Sequence, residues 1–165
     1  MAAELRPIRL SVTAGDLYTL WAPRWRDGGD EWEGFLGLGE DLFAFTSVAD
    51  LAAFVRSGAE NDLDDHPAWE KLVAANAHKL KPADGSTADL IAVHELLADK
   101  PTEDSIDALA FTLSVVASIG SVCELPTVMR FFNGNPNLGL ISGGIDQFTG
   151  RAGRKRWDII GDIVA

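Results

Sequence analysis

The first third of the chain alternates. Ile8, Leu10 and Val12 interleave with Arg9 and Ser11, the period of a half-buried strand. Ala14-Gly15-Asp16 supplies turn chemistry, and a second strand is expected over Leu17–Trp21, stopping at Pro23. Arg26-Asp27-Gly28-Gly29-Asp30 reads as a loop. Trp32–Leu38 resumes as a strand, residues Gly37–Asp41 turn, and Leu42–Phe45 returns. A small antiparallel meander of about four strands follows from this pattern.

Beyond Phe45 the rhythm changes to a helical one. Ser47 suits an N-cap with Asp50 at the third helical position, Leu51, Phe54 and Val55 share a face, and Gly58 ends the run. Pro67 opens another helix with Trp69, Leu72 and Val73 as its stripe. Lys81–Ala88 is a loop, and Asp89–Ala98 fits a short strand, a short helix, or one after the other. The longest helix is expected from about Glu103 to Glu124, capped by Thr102 or Asp104. Its stripe is Ile106, Leu109, Ala110, Leu113, Val116, Ala117 and Gly120, which places it at the centre of the core. Pro126 begins a helical turn through Phe131, and Asn133–Asn137 is a loop. Gly139–Gly144 is too rich in glycine to classify. A final helix begins near Thr149, with Trp157, Ile160, Ile163 and Val164 along one side. Strands first and helices later make an α+β fold with one core and a single domain over 1–165. Residues 1–58 are strand-rich with one helix, and 59–165 are mainly helical.

Composition narrows the function classes. The 165 residues carry 25 acids and 14 bases, a net charge of −11, which disfavours a general nucleic-acid binder. The charge is not spread evenly. From Asp27 to Glu70 there are twelve acids and one base, Arg56, and the remaining residues hold 13 of each. A segregated acidic segment, containing Asp62, Asp64 and Asp65, suits a protein partner with a basic surface, or self-association. The single cysteine, Cys123, excludes an internal disulfide framework and a multi-thiolate zinc site, and fits a reducing cytoplasm. Met1–Val12 has no apolar core of a signal peptide, and the apolar run Leu109–Cys123 is interrupted by Thr112, Ser114, Ser118 and Ser121, so no membrane span is expected.

Several constellations could carry chemistry. Arg24, Trp25 and Arg26 place an aromatic ring between guanidiniums, a pattern that stacks on bases or grips a partner's side chains. Trp21 and the later Trp32 are expected to fill the core face of the sheet, leaving Trp25 as the surface anchor. Asn61-Asp62-Leu63-Asp64-Asp65-His66 has alternating oxygen ligands like a calcium loop, without its glycine or its final glutamate. His66, His78 and His94 lack metal-ligand spacing, Cys123 reads as a small apolar residue beside the long helix, and Gly143-Gly144 lacks the lysine of a phosphate loop. Neither a catalytic set nor a metal or cofactor site is complete. Arg151, Arg154, Lys155 and Arg156 form a basic cluster at the start of the last helix, near the positive end of its dipole. Its charge calls for pairing with acids of this chain or a second subunit, or for an anionic ligand.

The stretches Asp16–Arg26, Glu31-Trp32-Glu33 and Asn61–Trp69 resemble an uncharacterised actinobacterial family whose members are often labelled primosomal protein. The resemblance covers most of the chain and implies a link to replication restart, with no catalytic or binding residues to carry over. The hairpin followed by Phe45-Thr46-Ser47 and a helix is also similar to small α+β binding modules of the SseB type. Three functions are therefore in view: a non-enzymatic interaction or adaptor protein, a nucleic-acid-associated factor using Arg24, Trp25, Arg26, Arg151, Arg154, Lys155 and Arg156, and a metal-dependent enzyme built on Asp62, Asp64, Asp65 and His66.

Overall fold

A computed structural model describes residues 4–27 and 29–164 of the protein. The alternation at the N-terminus becomes β1 (Arg6–Val12), which turns back through Gly15 into β2 (Gly15–Asp27). Pro23 does not end that strand. The register shifts between Ala22 and Trp25, and a bulge there lets a residue without an N–H sit in the ladder. β3 (Asp30–Phe35) pairs with β2 from Asp27↔Asp30 onward, so the expected loop shrinks to a tight hairpin tip. Gly29 sits there at φ 90°, and Gly28 lies outside the described residues. The next turn forms a separate two-stranded ribbon, β4 (Gly37–Leu38) with β5 (Asp41–Leu42).

The fourth strand of the main sheet comes from further along the chain. β6 (Thr87–Asp89) lies parallel to β1, giving the order β3-β2-β1-β6 and a mixed sheet where an antiparallel one is expected. A three-residue strand is too short for a periodicity to register.

Both faces of this sheet are covered. One carries Leu20 and Ala22 against α1 (Val48–Arg56), α2 (Trp69–Ala74) and the 3-10 turn Ala77–Leu80. Ser47 caps α1 by accepting from the Asp50 N–H at 3.1 Å, and Gly58 follows the helix at φ 74°. The other face carries Ile8, Leu10 and Trp21 against α4 (Glu103–Val122), where Val115 is fully buried. Trp21 stacks on Phe35 at 6.3 Å and meets Phe111 edge-on at 5.8 Å.

The same α4 organises the helical half. Its cap is reciprocal: Thr102 Oγ1 accepts from the Ser105 N–H, and Ser105 Oγ from the Thr102 N–H. Ile106 and Leu109 pack with α3 (Val93–Ala98), the 3-10 turns Pro136–Gly143 and Ile145–Phe148, and α6 (Gly150–Val164). The segment 87–98 is thus a strand followed by a helix, and the glycine-rich stretch is 3-10. α5 (Pro126–Gly134) runs past the expected end at Phe131. A side chain at Gly153 would place its Cβ 2.2 Å from the Phe148 carbonyl carbon, so only glycine lets α6 approach this closely.

Buried residues gather in three clusters, and α4 contributes to two of them. By length and composition alone α4 is apolar enough to cross a bilayer, contrary to the reading of its serines as interruptions. Core helices meet the same criterion, and here α4 is packed between the sheet and the other helices.

Candidate interaction surface

The buried stripe of α4 is Ile106, Leu109, Thr112, Val115, Ser118 and Gly120. It departs from the expected stripe because two polar residues are satisfied where they lie. Thr112 Oγ1 donates to the Ala108 carbonyl at 2.8 Å, and Ser118 Oγ donates to Glu33 Oε2 at 2.8 Å. Ala110, Leu113 and Ala117, expected in the core, are half-buried: the first two pack against the helical core, and all three line the floor of an open cavity. Phe132 of α5 and Leu138 and Ile141 of the 3-10 turn close its sides, around a volume of about 350 Å³.

Ser114, Ala117 and Phe132 also line a second cavity of about 580 Å³, which continues toward Trp21, Arg24, Glu33 and Met129. The two share these residues and form one groove between α4 and α5, mostly apolar in the first part and mixed with serines and the charges of Arg24 and Glu33 toward the sheet. α4 and α5 come closest together at Gly120, where an added Cβ would fall 2.6 Å from Val128 Cγ1. The α4–α5 turn is a Schellman motif: the Leu125 N–H donates to the Gly120 carbonyl at 2.8 Å, and Glu124 takes the left-handed position at φ 51°. Leu125 and Met129 are exposed beyond it.

Part of the acidic segment, Glu33, Glu40 and Asp41, approaches this same end of α4. Glu40 faces Glu124, whose hydrogen bond and negative charge raise the Glu40 carboxyl above its ordinary range. The Cys123 thiol is raised as well, by burial first and then by Asp41 and Glu40. Carboxylates here crowd the negative end of the helix dipole, an arrangement that works against stability. Asp62 anchors the acidic loop to the β4–β5 turn, its Oδ2 accepting from the Gly39 N–H at 2.6 Å. Asp64 and Asp65 are exposed.

The calcium-like spacing is used by the loop itself. Buried Asn61 accepts from the Leu63 N–H and donates to the Ala59 carbonyl, and buried His66 accepts the Ala68 N–H at Nδ1. Burial lowers the pKa of His66. Among the described residues, no three His, Cys, Asp or Glu side chains gather as a metal site.

The cationic candidates are divided. Arg24 is exposed and lies 3.8 Å from Glu31 at the groove's sheet end, the one ion pair among the described residues. Trp25 pairs with Trp32 and Arg26 with Glu31 across β2 and β3, and the side chains of Trp25 and Arg26 lie outside the described residues. Trp32 is 52% exposed, not buried, because it sits past the bulge, where the sheet's covering layers end. Arg151 and Arg154 line a different cavity of about 430 Å³ with Lys100, near the opposite end of α4. Lys155 is exposed, and Arg156 donates to the Gln147 carbonyl at 2.9 Å. The basic cluster therefore makes no ion pair within the described residues.

Sequence reasoning missed the groove and Lys100. Periodicity marks Leu113 and Ala117 as apolar without showing what covers them. Lys100 is brought to the cluster by tertiary packing alone.

The solved structure titled "The crystal structure of SatS c-terminal domain in complex with bromine" has the same fold, with a TM-score of 0.61 at 20% identity over 97% of this chain and 90% of that one. Comparison with curated proteins returns no match. The family match spans residues 5–165, nearly the whole chain, and on that extent the protein belongs to the SatS C-terminal domain family.

Proposed function

We propose that the protein is a non-enzymatic interaction protein of the cytoplasm, and that it takes a basic, partly apolar segment of a partner protein. The observation that carries this is the open α4–α5 groove, near an end of α4 where Glu40, Asp41 and Glu124 gather and form no ion pair among the described residues. Leu113, Ala117 and Phe132 are half-buried and turn part of their apolar surface to the groove. Glu33 lines its sheet end together with Arg24, and Glu40 and Asp41 add negative charge beside Glu124 and Cys123 at the C-terminal end of α4. A cation from a partner would relieve that repulsion, and its apolar side chains would fill the groove. Titration with an amphipathic Lys/Leu peptide tests this. Saturable binding that weakens with salt and is lost in Leu113→Asp is expected, and equal binding of a Glu/Leu peptide would contradict it. A head-to-tail second copy of this chain is the self-association form of the same reading, and sedimentation at low salt separates it.

A second reading, association with nucleic acid as the primosomal resemblance implies, is favoured by the cavity of Lys100, Arg151 and Arg154. Arg24 lines another cavity, so the two basic segments do not build one track. Fluorescence titration with single-stranded DNA at low salt decides: no binding disposes of this reading.

A further inference from the structure

On the sheet face away from α4, Tyr18, Arg9 and Thr87 stand side by side. Arg9 pairs with Tyr18 across β2 and with Thr87 across β6, so the three form one row over three strands. That row floors a cavity of about 540 Å³, within the range that holds small-molecule ligands. The 3-10 turn and the loop after it add His78, Lys81 and Asp84. Val48, Ala49 and Pro82 add apolar wall, the first two from the opening turn of the nine-residue α1.

The charges do not balance inside this cavity. The cations Arg9 and Lys81, with the imidazole of His78 between them in sequence, line it against one acid, Asp84, and neither cation forms an ion pair among the described residues. The Nε of Arg9 is buried and makes no hydrogen bond. The rest of the half-buried Arg9 side chain borders the cavity, and a carboxylate or phosphate oxygen is the group that suits a guanidinium without an ion-pair partner there. The positive end of α1 adds to the same field, and the exposed Asp50 in that turn subtracts from it.

We infer that this cavity binds a small organic anion, with its carboxylate or phosphate head on Arg9 and Lys81 and an apolar body against Val48 and Pro82. It lies across the sheet from the α4–α5 groove and does not depend on it.

The test is a ¹H–¹⁵N NMR titration of the whole chain with phenyl phosphate, benzoate, inorganic phosphate and neutral benzyl alcohol. Saturable shifts at the Gly85, Ser86 and Thr87 amides and at Arg9 Nε are expected from phenyl phosphate or benzoate. The tighter of the two identifies the head group, and inorganic phosphate should bind more weakly than phenyl phosphate. Arg9→Gln should weaken binding roughly tenfold, and Lys81→Gln several-fold. Lys81 is exposed, so that variant decides the matter if Arg9→Gln fails to fold. No saturable shift from any anion, equal shifts from benzyl alcohol, or undiminished binding in Lys81→Gln would overturn the assignment.

Discussion

The sheet half and the helical half meet on α4, and they are held together by different means. In the sheet half, long-range backbone pairing fixes β1, β2, β3 and β6, and apolar layers cover both faces. In the helical half, short 3-10 turns deliver Leu138, Ile141 and Phe148 to α6, and glycine contacts set the spacing. Their charges also differ. Glu40, Asp41 and Glu124 gather at the C-terminal end of α4, and Lys100, Arg151 and Arg154 lie near its N-terminal end, with about 30 Å of helix between. A 20-residue helix that serves two clusters couples the halves mechanically and keeps their charges apart.

The largest expected effects come from the core. Ile160→Ala in the helical half or Leu20→Ala in the sheet half should each cost roughly 2–5 kcal/mol. Because α4 belongs to both halves, either variant should move one cooperative urea transition followed by circular dichroism and tryptophan fluorescence. Two separated transitions would break the claim of coupling. Gly153→Ala comes next, at about 2 kcal/mol, since the new Cβ would strike the Phe148 backbone. That loss should fall on α6 first, read as faster amide exchange there than in β1.

Thr102→Ala should cost about 1 kcal/mol by removing the α4 cap. Glu124→Gly should raise stability by up to about 1 kcal/mol, because glycine suits φ 51°. The same change should return the Glu40 carboxyl toward its ordinary pKa, measurable by NMR titration.

The smallest effect is a pH dependence confined to the sheet half. Burial lowers the folded-state pKa of His66, so the unfolded chain takes up a proton first as pH falls through about 6.5. Stability from this residue is present above that pH and lost below it. His66→Gln should flatten the dependence in urea unfolding between pH 7.5 and 5.

The local signals in the chain were legible where one residue decides one bond. Ser47 and Thr102 mark their helices, and Gly58 marks a helix end, because caps are short-range chemistry. Pro23 misled because a bulge, a property of two strands, accommodates it. β6 was invisible because it pairs with a strand some 80 residues earlier. The α4 stripe was half right for an instructive reason. Thr112 and Ser118 are buried because partners satisfy them, and Leu113 and Ala117 are left to line the groove. Periodicity identifies apolar residues and not what covers them.

The most direct test of the interaction surface is the salt dependence of Lys/Leu peptide binding, with amide shifts on α4 and α5 as the readout. Shifts centred on Leu113, Ala117 and Phe132 that saturate at low salt, fade by 0.5 M salt and disappear in Leu113→Asp are expected. Shifts scattered over the surface, or binding indifferent to both salt and Leu113→Asp, would contradict the account.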